Sequence, residues 1–316
     1  MGNAETRAKG RVDMRRRTLP LVSIVCTLVV SAASHAQDLG RIPTDLPRGV
    51  EVTRDLAYAK YGDRILLLDL YRPAERGDTP LPVVVAIRGG GWKRGDKEGF
   101  GPMAAALAKR GLAAVSIEYR ASGEALFPAA VQDVKAAIRW VRADADAHGL
   151  DPGAVGAIGG SAGAHLAVYA SLTHDDPQFE GEGGHPEMSS ALSAVVGMAT
   201  PADFEEIGVR GASDAVPSFL GVTIKDGPEL WRRASPVRHV ESSSPPALLI
   251  HSEADTVVPF GHSVRLAQRY GEAGVAVELV LIPEAPHAFW NLTGWFDDTM
   301  DRAAAFFARY LAQPDP

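Results

Sequence analysis

The sequence predicts an α/β fold with a mostly parallel central sheet, helices on both faces and an antiparallel hairpin at its start. Short, largely apolar runs typical of buried strands lie at 83–87, 113–117, 155–158, 194–198, 247–250 and 275–282. A strand that is apolar throughout is buried on both faces, which requires helices on both sides of a parallel sheet. Longer helical stretches separate these runs, and this alternation is typical of a doubly wound domain.

The predicted elements begin with a hairpin, in which β-rich runs at 50–58 and 65–71 flank Gly62, a residue suited to the positive φ of a tight turn. Five helices follow, at 102–110, 129–148, 162–172, 260–273 and 297–311. Gly149 stands where the second of them would end. Two stretches with weak periodicity, 173–186 and 201–231, are expected to be substrate-binding loops or a lid.

The start of the chain is predicted to be a secretory signal peptide. Three arginines at 15–17 precede an apolar stretch at 19–30, and a Ser34-His35-Ala36 site follows. The apolar stretch is too short to span a bilayer about 30 Å thick, so we expect cleavage after Ala36 rather than a stable membrane anchor. The chain is therefore divided into a signal peptide, 1–36, and a single domain, 37–316, that is secreted or periplasmic. Met14 is an alternative start.

Charge and cysteine content narrow the possible partners. The formal net charge is −7, and removal of residues 1–36, with six Lys or Arg and two acids, changes it to −11. A protein this acidic is poorly suited to bind nucleic acid or anionic lipid, since both are densely negative. Cys26, the one cysteine, leaves with the signal peptide, so no disulfide, thiolate metal site or cysteine nucleophile is expected. Small-molecule or neutral polymeric substrates fit better.

The strongest motif is Gly159-Gly160-Ser161-Ala162-Gly163, which matches the G-x-S-x-G pattern of a nucleophilic serine. It follows the apolar run 155–158 and opens the predicted helix 162–172, so Ser161 would lie on a sharp strand-to-helix turn. Glycines two residues to either side leave room for a strained backbone. The alternative is a glycine-rich turn without chemistry.

A serine nucleophile needs an imidazole to accept its proton and an acid to orient that imidazole, and with this motif the chain order is serine, acid, histidine. Asp255 and His287 satisfy this order, each in a loop after a predicted strand. We therefore predict a triad of Ser161, Asp255 and His287. The other residues considered are Glu253 and Glu284 for the acid, and His165, His251 and His262 for the base.

The reaction also develops an oxyanion, which requires preorganised hydrogen-bond donors. The glycine-rich segment 88–92 supplies backbone N–H groups at Gly90 and Gly91, and the N–H of Ala162 completes the predicted oxyanion hole. The alternative is a flexible turn or a phosphate-binding loop, but no G-K-[ST] sequence follows. Trp92 and Trp290 are candidate walls of an acyl pocket, or else core residues. The predicted chemistry requires no metal and no organic cofactor.

These segments together carry a family resemblance. The chain resembles the secreted carbohydrate-esterase branch of the α/β-hydrolases, the bifunctional feruloyl and acetyl-xylan esterases, in the segments RGGGW, SIEYRAS, FPAAVQDVKAAIRWVRADADAHGLDP, IGGSAGAHLA, HSEADTVVP and PHAFW. It is similar more distantly to hormone-sensitive-lipase-like esterases. The resemblance covers residues 50–311 and implies an α/β-hydrolase fold and a carboxylic ester hydrolase. The implied substrates are small-molecule or polysaccharide esters, with acetyl or feruloyl groups on carbohydrate.

Two positions depart from the family pattern. Arg88 stands where the oxyanion segment normally begins with His, and Ser252 stands where Gly is usual. Neither change removes a reacting group. We expect the backbone donors to survive and the rigidity or pH dependence of the loop at Arg88 to change.

Three other functions are weighed against this one. A general short-chain carboxylesterase would use the same triad without sugar preference. An exopeptidase of the prolyl-oligopeptidase type normally carries a propeller domain, for which the stretch before the first catalytic loop is expected to be too short. A non-catalytic binding protein on this scaffold commonly lacks a triad member, whereas all three positions are filled here.

Overall fold

A computed structural model describes residues 25–28, 40–94, 96–174, 176–210 and 214–312. Its described strands form one sheet, in the spatial order β1-β9-β8-β7-β6-β4-β5-β3-β2. Neighbours pair in parallel except β2 with β3 and β3 with β5, which are antiparallel. The predicted parallel sheet with an N-terminal hairpin is confirmed. The strands are β1 (Val25–Leu28), β2 (Val50–Tyr61), β3 (Arg64–Pro73), β4 (Leu81–Ile87), β5 (Ala113–Ile117), β6 (Leu150–Gly160), β7 (Ala194–Met198), β8 (Ala247–Ser252) and β9 (Val277–Ile282).

Helices cover both faces of the sheet. One face packs against the second, fourth and ninth helices, and the other against the first and tenth. The helices are α1 (Gly101–Lys109), α2 (Ala129–Ala143), α3 (Ala145–His148), α4 (Ala162–Leu172), α5 (Pro177–Glu180), α6 (Phe204–Arg210), α7 (Ala215–Leu220), α8 (Pro228–Arg233), α9 (Gly261–Glu272) and α10 (Thr293–Tyr310).

Strand β4 shows why the apolar runs predicted this arrangement. Val83, Val85 and Ile87 pack into the core on one face of the sheet, while Val84 and Ala86 pack into the core on the other. All five are completely buried. Because successive side chains of a strand point to opposite faces, such a run is stable only between two layers of helices. Each buried Val or Ile side chain contributes roughly 1.5–3 kcal/mol relative to an exposed one.

The edge strand β1 lies inside the predicted signal peptide. It pairs in parallel with β9, with Val25 opposite Glu278. Cleavage after Ala36 would remove β1, leave eight strands and make β9 the edge of the sheet. Most of residues 1–36 lie outside the described part of the chain, and cleavage stays a prediction. Within the described part, no helix combines the length and apolar character needed to cross a membrane.

The stretch 173–186 braces the scaffold, and its role as a substrate-binding loop or a lid stays a prediction. Glu180, at the end of α5, accepts a hydrogen bond from Lys135 at 2.7 Å and one from Arg139 at 2.9 Å. Arg139 also donates to the carbonyl oxygen of Gly183 at 2.5 Å. These two cations lie on α2 and are buried, and the stretch supplies the oxygens that compensate their charge.

Glu180→Ala is expected to lower the free energy of unfolding by about 3 kcal/mol, because it leaves two buried cations without their carboxylate. Urea unfolding followed by circular dichroism measures the change. Glu187→Ala is the matched control, since its side chain is 63% exposed directly after this stretch. Equal effects of the two substitutions would contradict the bracing role.

Candidate active site

Ser161 lies on a sharp turn between β6 and α4. Its backbone is left-handed, with φ 55° and ψ −120°, and its N–H donates to the carbonyl oxygen of Met198 at 2.8 Å. A Cβ on Gly163 would lie 2.1 Å from the carbonyl oxygen of Ile87, and one on Gly159 would lie 2.2 Å from that of Gly163. The turn therefore requires glycine at both positions. The strain holds the hydroxyl of Ser161 at the end of the strand.

The structure brings the three predicted triad residues together. Nε2 of His287 lies 3.1 Å from Oγ of Ser161, and Nδ1 of His287 lies 2.7 Å from Oδ2 of Asp255. Asp255 and His287 follow β8 and β9, adjacent parallel strands, so both loops emerge at the same edge of the sheet. Of the candidate acids, Asp255 is the one whose carboxylate contacts His287. The arrangement can pass a proton from the serine to an oriented imidazole.

The carboxylate of Asp255 is held in its charged form. Burial by itself would raise its pKa, but hydrogen bonds from His251, His287 and the N–H of Val258 outweigh burial and lower the pKa well below its usual range. The N–H groups of Val257 and Val258 donate to Oδ1 at 2.8 and 2.9 Å. A charged Asp255 is suited to stabilise the protonated form of His287 during reaction.

The other candidate bases are engaged in the core. Nδ1 of His165 accepts a hydrogen bond from Nε1 of Trp92 at 3.3 Å, and burial lowers the pKa of His165 to about 3. Nε2 of His251 lies 2.9 Å from the carbonyl oxygen of Val258, beneath the acid. Nδ1 of His262 accepts two backbone N–H groups, at 3.1 and 3.3 Å. All three therefore support loops around the site, and His287 alone among these candidates contacts Ser161 in the described structure.

The predicted oxyanion donors surround Ser161. Gly90 and Gly91 have φ values of 128° and 62°, which favour glycine, and they line the same cavity as Ser161. A Cβ on Gly89 would lie 2.4 Å from the carbonyl oxygen of Gly160, so this segment passes directly against the serine turn. Ala162 is the first residue of α4, and its N–H has no acceptor within the helix. Binding of an oxyanion by these donors stays a prediction.

The two departures from the family pattern both brace loops of the site. The guanidinium of Arg88 forms an ion pair with Asp96, and the carbonyl oxygen of Arg88 accepts a hydrogen bond from the hydroxyl of Tyr119 at 3.0 Å. The hydroxyl of Ser252 donates to the carbonyl oxygen of Ala285. Ser252 thus links the loop that carries the acid to the loop that carries the base.

The two tryptophans border the cavity but are almost wholly covered by protein. Trp92 is 3% exposed and stacks on Phe219, with ring centroids 4.8 Å apart. Trp290 is 2% exposed and packs edge-on against the ring of His287 at 5.7 Å. Trp92 supports the oxyanion segment, and Trp290 supports the base. Direct substrate contact by either stays a prediction.

A cavity of about 510 Å³ opens beside Ser161. The stretch 201–231 contributes to its wall, as predicted. Sequence reasoning missed a second contribution, from residues just after the predicted cleavage site, because these carry no motif. The cavity residues outside the predicted site include Arg41, Ile42, Thr44, Pro201, Ile207, Ala215, Val216 and Asn291. No group of three or more His, Cys, Asp or Glu side chains placed to hold a metal ion occurs among the residues the structure describes.

Comparison with known proteins identifies the family. The BD-FAE family model matches residues 68–270, which is more than half of the chain. The chain belongs to the BD-FAE family. The resemblance seen in the motifs and the α/β-hydrolase fold are thereby confirmed.

Relatives of this BD-FAE member include named esterases. It is 34% identical to the esterase LipC of Mycobacterium tuberculosis over 78% of this chain and 63% of LipC. A truncated carbohydrate esterase from gut microbiota has a TM-score of 0.72 and 29% identity, over 83% of this chain and 97% of that one. An acetyl ester-xyloside bifunctional hydrolase from Caldicellulosiruptor lactoaceticus has a TM-score of 0.68 and 25% identity, over 78% and 89%. The chain spans a little under two thirds of the length of LipC.

Proposed function

We propose that the protein is a secreted or periplasmic serine esterase that hydrolyses acetyl or feruloyl esters of carbohydrate. One observation carries the activity: His287 contacts both Ser161 and the charged Asp255 at the wall of an open cavity. Family membership and the esterase names of the relatives support the same reaction class.

The geometry supports a two-step reaction. The hydroxyl of Ser161 attacks the ester carbonyl carbon while Nε2 of His287 takes its proton. The N–H groups of Gly90, Gly91 and Ala162 stabilise the resulting oxyanion, each donor contributing about 10²–10³ in rate. Collapse releases the alcohol, which takes the proton from His287. A water molecule, activated by the same imidazole, then hydrolyses the acyl-enzyme.

Two observations and one prediction support carbohydrate esters as substrates. Two similar solved structures are described as a carbohydrate esterase and an acetyl ester-xyloside hydrolase. The cavity volume of about 510 Å³ lies within the range of small-molecule sites, and apolar residues such as Ile207, Val216 and Val258 form part of its wall, which suits an acetyl or a flat aromatic acyl group. The predicted signal peptide would bring the enzyme to extracellular polymers or their fragments.

The substrate is tested with the wild type and Ser161→Ala on 4-nitrophenyl acetate, methyl ferulate and acetylated xylan, comparing kcat/KM. We expect wild-type preference for acetylated xylan or the ferulate and loss of activity in the variant. Activity confined to 4-nitrophenyl acetate would contradict the carbohydrate assignment and favour the second candidate, a general short-chain carboxylesterase, which the relation to LipC supports.

Cleavage after Ala36 is tested separately, by the mass of the N-terminal peptide of the secreted protein.

A further inference from the structure

A short segment before the first strand of the hairpin is fastened beside the catalytic loop. In this N-terminal strap, residues 40–44, the N–H of Ile42 donates to the carbonyl oxygen of Asn291 at 3.1 Å. The N–H of Thr293 in turn donates to the carbonyl oxygen of Gly40 at 3.0 Å. These two bonds fix the strap in an antiparallel arrangement against residues that follow the base closely in the chain.

The strap brings a guanidinium to the cavity wall. Arg41 lies between the two fastening bonds, forms a β-bridge with Leu292 and lines the cavity together with Ser161 and His287. The neighbouring hydrogen bonds fix the backbone of Arg41, while the residue itself is exposed. The fold therefore sets the point from which the side chain extends, and the charge stays accessible to a bound ligand.

Arg41 differs from the other charged residues of the cavity wall in having no ion-pair partner among the described residues. Arg88 pairs with Asp96. Glu98 lies 3.2 Å from Nζ of Lys97, an ammonium that it shares with Asp55 and Asp69. Both of these charges thus have an oppositely charged partner, whereas the guanidinium of Arg41 has none among the residues that the structure describes.

We propose that Arg41 is a specificity-determining residue that binds a carboxylate near the ester bond of the substrate. The inference rests on the proposed esterase function and refines its substrate class to acidic esters, for example an acylated sugar that bears a carboxylate. A guanidinium presents a planar fork of donors that matches a carboxylate bidentately. Because the whole chain carries a formal charge of −7, an anionic substrate needs such a local cation to offset general repulsion.

The test uses two pairs of esters that differ only in charge. 4-Acetoxybenzoate and 4-acetoxybenzamide place the charge on the alcohol side, and 4-nitrophenyl succinate monoester and its amide place it on the acyl side. The readout is the ratio of kcat/KM for the anionic ester to that for the neutral ester. In Arg41→Gln we expect this ratio to fall about tenfold for at least one pair, and further in Arg41→Glu. Arg41→Lys retains part of the ratio, because it keeps the charge and loses the fork.

Arg48→Gln is the matched control. Arg48 is exposed, lies in the same N-terminal segment and does not line the cavity, so this variant should keep the wild-type ratio and the wild-type rate on neutral esters. Raising the salt concentration should lower the wild-type ratio toward that of Arg41→Gln.

The two proposals fail in different ways. If the wild type hydrolyses the neutral esters but its ratio is the same in Arg41→Gln for both pairs, the role of Arg41 is overturned and the esterase proposal stands. An equal fall of the ratio in Arg41→Gln and Arg48→Gln would also overturn this role, because the effect would then come from the net charge of the protein. If the wild type hydrolyses no ester in either pair, the proposed function itself fails.

Discussion

His287→Ala is expected to lower kcat on 4-nitrophenyl acetate by roughly 10⁴- to 10⁶-fold while the protein stays folded. Without the imidazole, no group accepts the proton of Ser161. In the wild type, Oγ of Ser161 lies 3.1 Å from Nε2 of His287. The side chain of His287 is 19% exposed at the cavity wall, so its removal opens no sealed hole in the core. Steady-state kinetics, with circular dichroism of the same sample, measures the effect.

The control for this substitution is His185→Ala. His185 is 36% exposed and contacts the surface acids Asp144 and Glu187, so its loss should leave kcat within about twofold of the wild type. A loss below about 100-fold in His287→Ala would contradict its role as the base.

Gly163→Ala is expected to destabilise the fold by about 3 kcal/mol or more and to abolish esterase activity. The added methyl group would lie 2.1 Å from the carbonyl oxygen of Ile87 and 2.7 Å from the carbonyl carbon of Arg88. Both atoms belong to backbone, which cannot rotate away as a side chain can. Relief of the clash must move the serine turn away from the oxyanion segment, so stability and catalysis are lost together.

Gly261→Ala is the matched control for Gly163→Ala. A Cβ on Gly261 meets no atom within 4 Å, and the residue is the first of α9. Thermal unfolding of both variants, with activity measured at a temperature at which each is folded, separates the two effects. Wild-type stability in Gly163→Ala would contradict the packing of the serine turn described above.

Much of the fold and the site could be predicted because the relevant signals are local in the sequence. The apolar runs within β4 and β8 already specify strands buried on both faces. Likewise, the glycines around Ser161 specify a turn that no other residue fits. The loop positions of Asp255 and His287 are predicted from the runs that form β8 and β9, because parallel neighbours end at the same edge of the sheet.

What the sequence did not predict has a physical cause as well. Charged residues such as Lys135 and Arg139 are typical of a solvated helix face, but both are buried here, and their need for oxygens fixes the path of the stretch 173–186. That dependence is not local. The predicted helix 129–148 is likewise interrupted at Asp144, which has φ −100° and ψ 14° and separates α2 from α3.

The N-terminal strap was missed for a related reason. Its residues have no periodicity and no motif, and their position is determined by backbone hydrogen bonds to Asn291 and Thr293, some 250 residues away in the chain. The same holds for His165, whose role in supporting Trp92 is visible only when the two rings meet. Contacts of this range leave no pattern in a single sequence.

The central claim, that Ser161 is an activated nucleophile, is tested most directly by covalent labelling. Wild type, Ser161→Ala and His287→Ala are incubated with a fluorophosphonate, and the adduct is located by intact mass and peptide mapping. We expect one adduct per wild-type chain, on Ser161, none in Ser161→Ala, and labelling slowed by several orders of magnitude in His287→Ala. An adduct on another residue, or ester hydrolysis by Ser161→Ala at the wild-type rate, would contradict the account.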